Sequence, residues 1–281
     1  MAPSLHHADA PVSVHASLTF EVVEPSTIEL LIVPADSAGE RADEQLTVTV
    51  DGDPLAARHI DTFPLEGTTA TVVAAAVGEL VIEYSTTVHR HPSAPSAVAD
   101  LARASLLGLR PGRYTPSDEL AGFASTLFGH GNPAETAEGI AAWVTAQLAY
   151  DPAATRPTGT AADTLLSGAG VCRDFAHLTA ALCRAVDIPS RIAAVYAPGL
   201  SPMDFHAVTE VLIGDRWFVF DTTRLAPRPS LVRIAIGRDA ADTAFANVVG
   251  GAATLTSIDV VAVLEADALP DDDHTGLVEL R

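Results

Sequence analysis

From Gly168 to Val186 the chain reads G-A-G-V-C-R-D-F-A-H-L-T-A-A-L-C-R-A-V, a glycine-rich turn that delivers Cys172 to the start of a helix. Beyond Cys172 the apolar residues Phe175, Leu178, Leu182 and Val186 recur at spacings of three and four, the stripe of a helix buried on one side. Gly168 and Gly170 allow a sharp turn just before it, which puts the Cys172 side chain at the helix mouth. There the first-turn amides lack intrahelical partners and the aligned peptide dipoles carry partial positive charge. Both effects favour a thiolate. A lone cysteine is otherwise a small packing residue, so its partners decide between the two readings.

Those partners lie downstream. After a turn at Asp187-Ile188-Pro189-Ser190, Arg191 to Tyr196 reads as a buried strand. His206 to Ile213 and Arg216 to Asp221 also suit strands, joined by Gly214-Asp215 as a two-residue hairpin turn. If Ile213 pairs with Arg216, His206 falls opposite Thr223 and Asp221 becomes its diagonal neighbour on the same face. A carboxylate that holds one imidazole nitrogen turns the other toward a thiol, which is the logic of an activated cysteine nucleophile. Cys172, His206 and Asp221 are therefore the candidate catalytic residues. Zinc fits poorly, because Cys172, His177, Cys183 and His206 lack a short paired-ligand spacing, and no cofactor or metal motif is present. His177 reads as a packing or hydrogen-bonding residue of the helix.

The whole chain bounds this reading. Its 281 residues suffice for two domains, and 48% hydrophobic against 19% charged residues describes a globular protein. With 36 acidic and 16 basic residues the formal charge is −20, which argues against nucleic acid and an anionic membrane surface as partners. It favours a neutral or basic acyl substrate. Every basic residue is arginine, so an enzyme of this sequence joining glutamine to lysine could not cross-link itself. The two cysteines stand eleven residues apart on one helix, a rise of about 16 Å, whereas bridged Cα atoms lie within about 7 Å. Two free thiols, and an N-terminus without the features of a signal peptide, point to a reducing, cytoplasmic location.

From Ala16 to Val88, segments at 17–23, 27–33, 46–50, 70–77 and 80–88 are rich in Val, Ile, Thr and Leu and broken by Pro, Asp and Gly. They predict a β-sandwich-like domain over residues 1–95, with a hairpin corner at Val77-Gly78-Glu79-Leu80. His91-Pro92-Ser93-Ala94-Pro95-Ser96 is a linker by composition, and residues 96–281 form the catalytic domain. Its helices include Pro133 to Tyr150 and Ala161 to Leu166. The segments 232–236 and 253–264 read as strands completing the catalytic sheet, and Pro270-Asp271-Asp272-Asp273-His274 as solvated charge.

Gly170-Val171-Cys172-Arg173-Asp174-Phe175-Ala176-His177-Leu178, Met203-Asp204-Phe205-His206-Ala207 and Trp217-Phe218-Val219-Phe220-Asp221 resemble, in order and spacing, the cysteine, histidine and aspartate motifs of the transglutaminase-like superfamily. The likeness is strongest to its bacterial group of transglutaminase-like candidate cysteine proteases. Arg113-Tyr114-Thr115-Pro116-Ser117-Asp118 and Gly237-Arg238-Asp239-Ala240-Ala241-Asp242 are similar to further stretches of that group, and the resemblance runs from about Arg113 to Glu265. It implies an α+β, papain-like core, a helix bearing Cys172 packed on an antiparallel sheet bearing His206 and Asp221. The activity implied is hydrolysis of amide bonds, peptide or isopeptide, in a peptide or small-molecule amide substrate through a Cys-His-Asp triad and a thioester. Amide-forming acyl transfer to an amine and a non-catalytic binding module are the alternatives. Papain-like enzymes often place an oxyanion-hole glutamine shortly before the cysteine; here Leu165, Leu166 and Ser167 stand there, and the Cys172 amide supplies one donor.

Overall fold

The computed structural model describes residues 10–61, 67–91 and 98–280. Six strands lead: β1 (Val12–Leu30), β2 (Gly39–Val50), β3 (Asp53–Pro54), β4 (Ala57–Asp61), β5 (Thr69–Ala75) and β6 (Gly78–Arg90). In β1 the buried Val12, Val14, Ala16, Leu18, Phe20 and Val22 alternate with more accessible residues, the period of a strand with one face on a core. The segments predicted at 17–23 and 27–33 belong to this one long strand, carried past Pro25 by register shifts. No hairpin forms at Val77–Leu80. Instead β5 and β6 pair in turn along β1, at Ser26–Leu30 and at Val12–Val22.

The helices follow: α1 (Val98–Gly108), α2 (Ala121–Phe128) and α3 (Pro133–Gln147), then a short strand β7 (Ala149–Tyr150), α4 (Ala161–Ser167), a short strand β8 (Ala169–Gly170) and α5 (Cys172–Ala185). Asn132 caps α3 by accepting the Ala134 and Glu135 N–H groups, with Pro133 in the first turn where its missing donor costs nothing. α5 is buried on every side from Asp174 to Arg184, not only along its apolar stripe. It is the central helix.

The second half adds β9 (Ser190–Tyr196), β10 (His206–Ile213), β11 (Arg216–Phe220), β12 (Val232–Gly237), the single turn α6 (Ala240–Thr243) and β13 (Ala246–Leu264). Four of these strands form an antiparallel sheet in the order β11-β10-β9-β12, with α5 packed on β10 and β9. Ile213 pairs with Arg216 and Thr209 with Phe220, the register predicted from the hairpin turn. β13 does not complete this sheet. It returns to β1 and pairs with it from Leu30 back to Val12, making the first sheet seven-stranded. Both strands are 19 residues long, so β1 offers β13 a ladder along its whole length. Residues 246–264 thus leave the catalytic half to which the sequence assigned them, and the boundary drawn between residues 95 and 96 lies outside the described residues.

The two sheets are locked together. Ala194, Tyr196, Val232 and Ile234 of the second sheet share a core with the first, while Phe175, Leu178 and Leu182 of α5 share another with Val211 and Phe220. The Tyr196 hydroxyl donates to the Ile32 carbonyl at 2.6 Å and the Ala35 N–H to the Arg233 carbonyl at 2.8 Å. Among the described residues no helix is long and apolar enough to cross a membrane.

The acidic stretch near the C-terminus is solvated charge only in part: Asp271 and Asp273 are exposed, but Asp272 is not. Asp272 grips the buried Arg228, Oδ1 to Nη2 at 2.8 Å and Oδ2 to Nε at 2.9 Å, and also accepts the Arg228 backbone N–H at 2.8 Å. Val219 N–H then donates to the Val278 carbonyl at 2.7 Å and Leu280 is buried. Burial opposes the charge on Asp272, but the hydrogen bonds from Arg228 win and hold its carboxyl well below the usual range. Asp272→Ala leaves a buried guanidinium unpaired and is expected to cost about 3–5 kcal/mol in urea unfolding. The difference from wild type should be full above the unfolded carboxylate value of about 3.9 and shrink as pH falls below it.

Candidate active site

Cys172 opens α5 because the chain before it is held as strand and a residue after it closes the helix. β7 and β8 pair in parallel, Tyr150 opposite Gly170, and Asp151 N–H donates to the Gly170 carbonyl at 2.9 Å. The Asp174 carboxylate reaches back to accept the Val171 N–H at 3.0 Å, satisfying a donor the helix cannot. Only glycine fits at 170, where a Cβ would stand 2.6 Å from Asp174 Cβ. Arg173 balances the buried Asp174 across 3.0 Å and is itself tied to Thr155 Oγ1 at 2.8 Å and the Arg156 carbonyl at 2.6 Å. Both cysteines are free. Cys172 is partly exposed, whereas Cys183 is sealed in the core, where burial pushes its thiol up to about 12.

His206 begins β10 and Asp221 directly follows β11, so the hairpin carries both. His206 Nε2 lies 3.0 Å from Asp221 Oδ2, both side chains being buried. The other Asp221 oxygen accepts the Thr223 N–H at 3.0 Å and its hydroxyl at 2.6 Å. With Nε2 engaged, Nδ1 is left for the hydrogen bond that His206 shares with the Cys172 thiol. Burial alone would discharge the imidazolium. The charge and hydrogen bond of Asp221, with Cys172 adding to them, overcome it and raise His206 well above the ordinary histidine value. Asp221 is likewise held below the usual range, against its burial, by His206 and Thr223. This arrangement can activate a thiol and orient a proton donor beside it.

A cleft of about 540 Å³ opens over Cys172 and His206. Tyr150 stands beside Cys172 without lining the cleft, and the sequence reading overlooked it because nothing but its place after a helix distinguishes it. Its phenol oxygen meets the Cys172 backbone N–H. Burial first, then the nearby Cys172 and Asp204, make it hold its proton more tightly than an ordinary tyrosine. Two further stretches singled out by resemblance converge on α5. Asp239 accepts the Tyr114 N–H at 2.8 Å, the buried Arg184 donates to Thr115 Oγ1 at 2.7 Å and to the Arg238 carbonyl at 2.7 Å, and Ala240 N–H donates to His177 Nε2 at 3.0 Å. His177 therefore packs, stacked 5.6 Å from the Tyr114 ring, and burial drops its pKa to about 3.

With this geometry, similarity to known proteins becomes interpretable. The family model described as the transglutaminase-like superfamily matches residues 123–222, which hold Cys172, His206 and Asp221. The crystal structure of a candidate cysteine protease from Cytophaga hutchinsonii is 32% identical and superposes with a TM-score of 0.82, covering 95% of this chain and 92% of that one. The chain belongs to the transglutaminase-like superfamily. An uncharacterised protein of Mycobacterium leprae is 27% identical over 166 residues, 54% of this chain and 58% of that protein, so the match spans less than two thirds of the relative. The superfamily fold accounts for the α+β core.

The raised His206 gives a direct check. Its imidazole resonances should remain those of the charged ring above the unperturbed value of about 6.5, and the stability it contributes is lost only as pH rises through the folded pKa. In Asp221→Asn the titration should fall to or below that value, because burial then acts with less opposition. NMR of the histidine ring protons measures both.

Proposed function

We propose that the chain is a thiol hydrolase of amide bonds, with Cys172 as nucleophile, His206 as acid and base, and Asp221 orienting His206. The observation that carries this reading is the His206 Nε2 to Asp221 Oδ2 hydrogen bond at 3.0 Å, which commits one ring nitrogen and leaves the other for the thiol. In the first half-reaction Cys172 Sγ bonds to the amide carbonyl carbon. His206 then gives its Nδ1 proton to the departing amine as the C–N bond breaks, leaving a thioester. In the second, water attacks that carbonyl, His206 takes its proton, and the acid leaves as the thiol is restored.

The negative oxygen of each tetrahedral intermediate needs donors. The Cys172 backbone N–H at the mouth of α5 is one, aided by the helix dipole. The Tyr150 hydroxyl, whose oxygen faces that amide in the resting site, is the side-chain donor proposed beside it once the amide turns from the phenol to the oxyanion. An amine replacing water in the second half-reaction would make the protein an acyltransferase. Because the chain is free of lysine, a lysine acceptor would have to come from another molecule.

Screening peptide p-nitroanilides in the presence of methylamine, with products read by mass spectrometry, tests this. Free acid in excess is expected; methylamide in excess would favour acyl transfer. Loss of turnover in Cys172→Ala and in His206→Ala is required, and turnover that survives both would overturn the assignment. Tyr150→Phe should lower kcat by about 10²–10³ with KM little changed, the loss typical of one oxyanion donor. A binding module without turnover would release no product from any substrate, even where Cys172 alkylates rapidly.

A further inference from the structure

We infer that Arg113 is the specificity-determining residue of the cleft and recognises a carboxylate that the substrate carries beside an apolar group. The inference rests on Cys172 being the acylating thiol. The cleft floor is apolar, built from Ile192, Ala194 and Ile234 of the second sheet together with Phe205 and Phe245. Three charged side chains besides His206 line it: Arg113, Arg173 and Asp204. Arg173 is committed to Asp174, Thr155 and Arg156. Arg113 is not committed. Its guanidinium lies 5.3 Å over the Tyr114 ring, and among the described residues it makes no ion pair or hydrogen bond.

An uncommitted cation in the cleft of a chain with formal charge −20 is held there by construction. Asp239 anchors the Tyr114 N–H at 2.8 Å, Gly112 N–H closes on the Thr115 carbonyl at 3.1 Å, and Arg184 pins Thr115 from below. Position 112 admits no side chain, since a Cβ would stand 2.2 Å from Asp239 Oδ2. The loop that presents Arg113 is therefore set before any ligand arrives, which removes the ordering cost of binding. A guanidinium with its donor fork open suits a planar carboxylate, while a doubly charged phosphate would meet the repulsion of Asp204 and of the chain as a whole. The net charge alone suggests a neutral or basic substrate. The open guanidinium of Arg113 is a local exception to that.

Alkylation of Cys172 tests this without a known substrate. The rate with iodoacetate, which bears a carboxylate, is divided by the rate with neutral iodoacetamide, the label being located by peptide mapping. Arg113→Gln should lower this ratio about fivefold, the effect of one unit charge a few ångströms away in water. Arg113→Lys should restore part of it. Arg110→Gln, an exposed change of the same charge on the same loop, should leave the ratio unchanged. An unchanged ratio in Arg113→Gln, or an equal fall in Arg110→Gln, overturns the inference while fast iodoacetamide labelling keeps Cys172 as the thiol. Labelling no faster than in the denatured chain takes both readings down. Protection from iodoacetamide then identifies the source of the carboxylate. N-acetylleucine offers a terminal one, N-acetylisoglutamine a side-chain one and N-acetylleucinamide none. Protection by either acid but not by the amide, lost in Arg113→Gln, supports the inference; equal protection by the amide, or none by any of the three, refutes it.

Discussion

The depth at which α5 rests on the β10–β11 hairpin is set by buried hydroxyl groups, and the candidate site depends on that depth. Thr209 Oγ1 on β10 donates to the Ala176 carbonyl of the helix at 2.9 Å. Thr179 Oγ1 on the helix lies 3.2 Å from Thr222 Oγ1, and Thr145 on α3 donates to the Thr222 carbonyl at 2.8 Å. Thr222 follows Asp221 directly, so the same bonds that seat the helix also hold the carboxylate. A slip of the helix by one residue would move Cys172 about 1.5 Å along its axis and break the bonds together. In a close-packed interior such bonds also exclude intermediate positions, because each orphaned hydroxyl would cost its desolvation.

Around that contact the two sheets supply a closed surround. β13 leaves the second sheet for the first, and the Leu31 N–H to Phe245 carbonyl bond at 2.9 Å closes the junction beside the cleft. Leu31, Phe245 and Asn247 then line the cleft together with β9 and β12, so the first sheet forms part of its wall. Tyr196, Phe205 and Phe245 form a run of rings with centroids 5.5 Å and 5.0 Å apart, crossing from the second sheet to that wall. The buried Glu210, between Arg191 at 2.7 Å and Arg233, ties β10 to β9 and, across it, to β12, and Arg233 extends 3.0 Å to Ser37 beside the first sheet.

Charge is distributed with the same economy. The acidic surplus of the chain lies outside the cleft, while the buried arginines 184, 228 and 233 each hold a loop or strand against the catalytic half. His206 is kept charged by one carboxylate whose other oxygen is already occupied. Both Asp221 oxygens are engaged and the side chain is buried, so the carboxylate is held in place and the imidazole keeps its orientation.

Much of the site was legible in the sequence, because its parts are local. A glycine turn before an apolar stripe located Cys172, and a two-residue turn set the register that brings His206 to Asp221. What remained hidden involved partners chosen at a distance. β13 reads as a strand, but alternation cannot say which edge it joins, and the matching length of β1 decides that. Three consecutive aspartates read as solvated charge until the fold brings Arg228 to Asp272, 44 residues away. Tyr150 carries no signal of its own, and Arg113 none beyond the stretch it opens. The pairing of β7 with β8 puts Tyr150 beside Cys172, and the anchoring of Tyr114 by Asp239 puts Arg113 at the cleft. The sequence by itself pointed to the superfamily through its motifs and to the three candidate side chains, since short-range periodicity and turn chemistry encode their placement. Tertiary structure alone decided the walls, the anchors and the free guanidinium, since these follow from which distant surfaces bury each other.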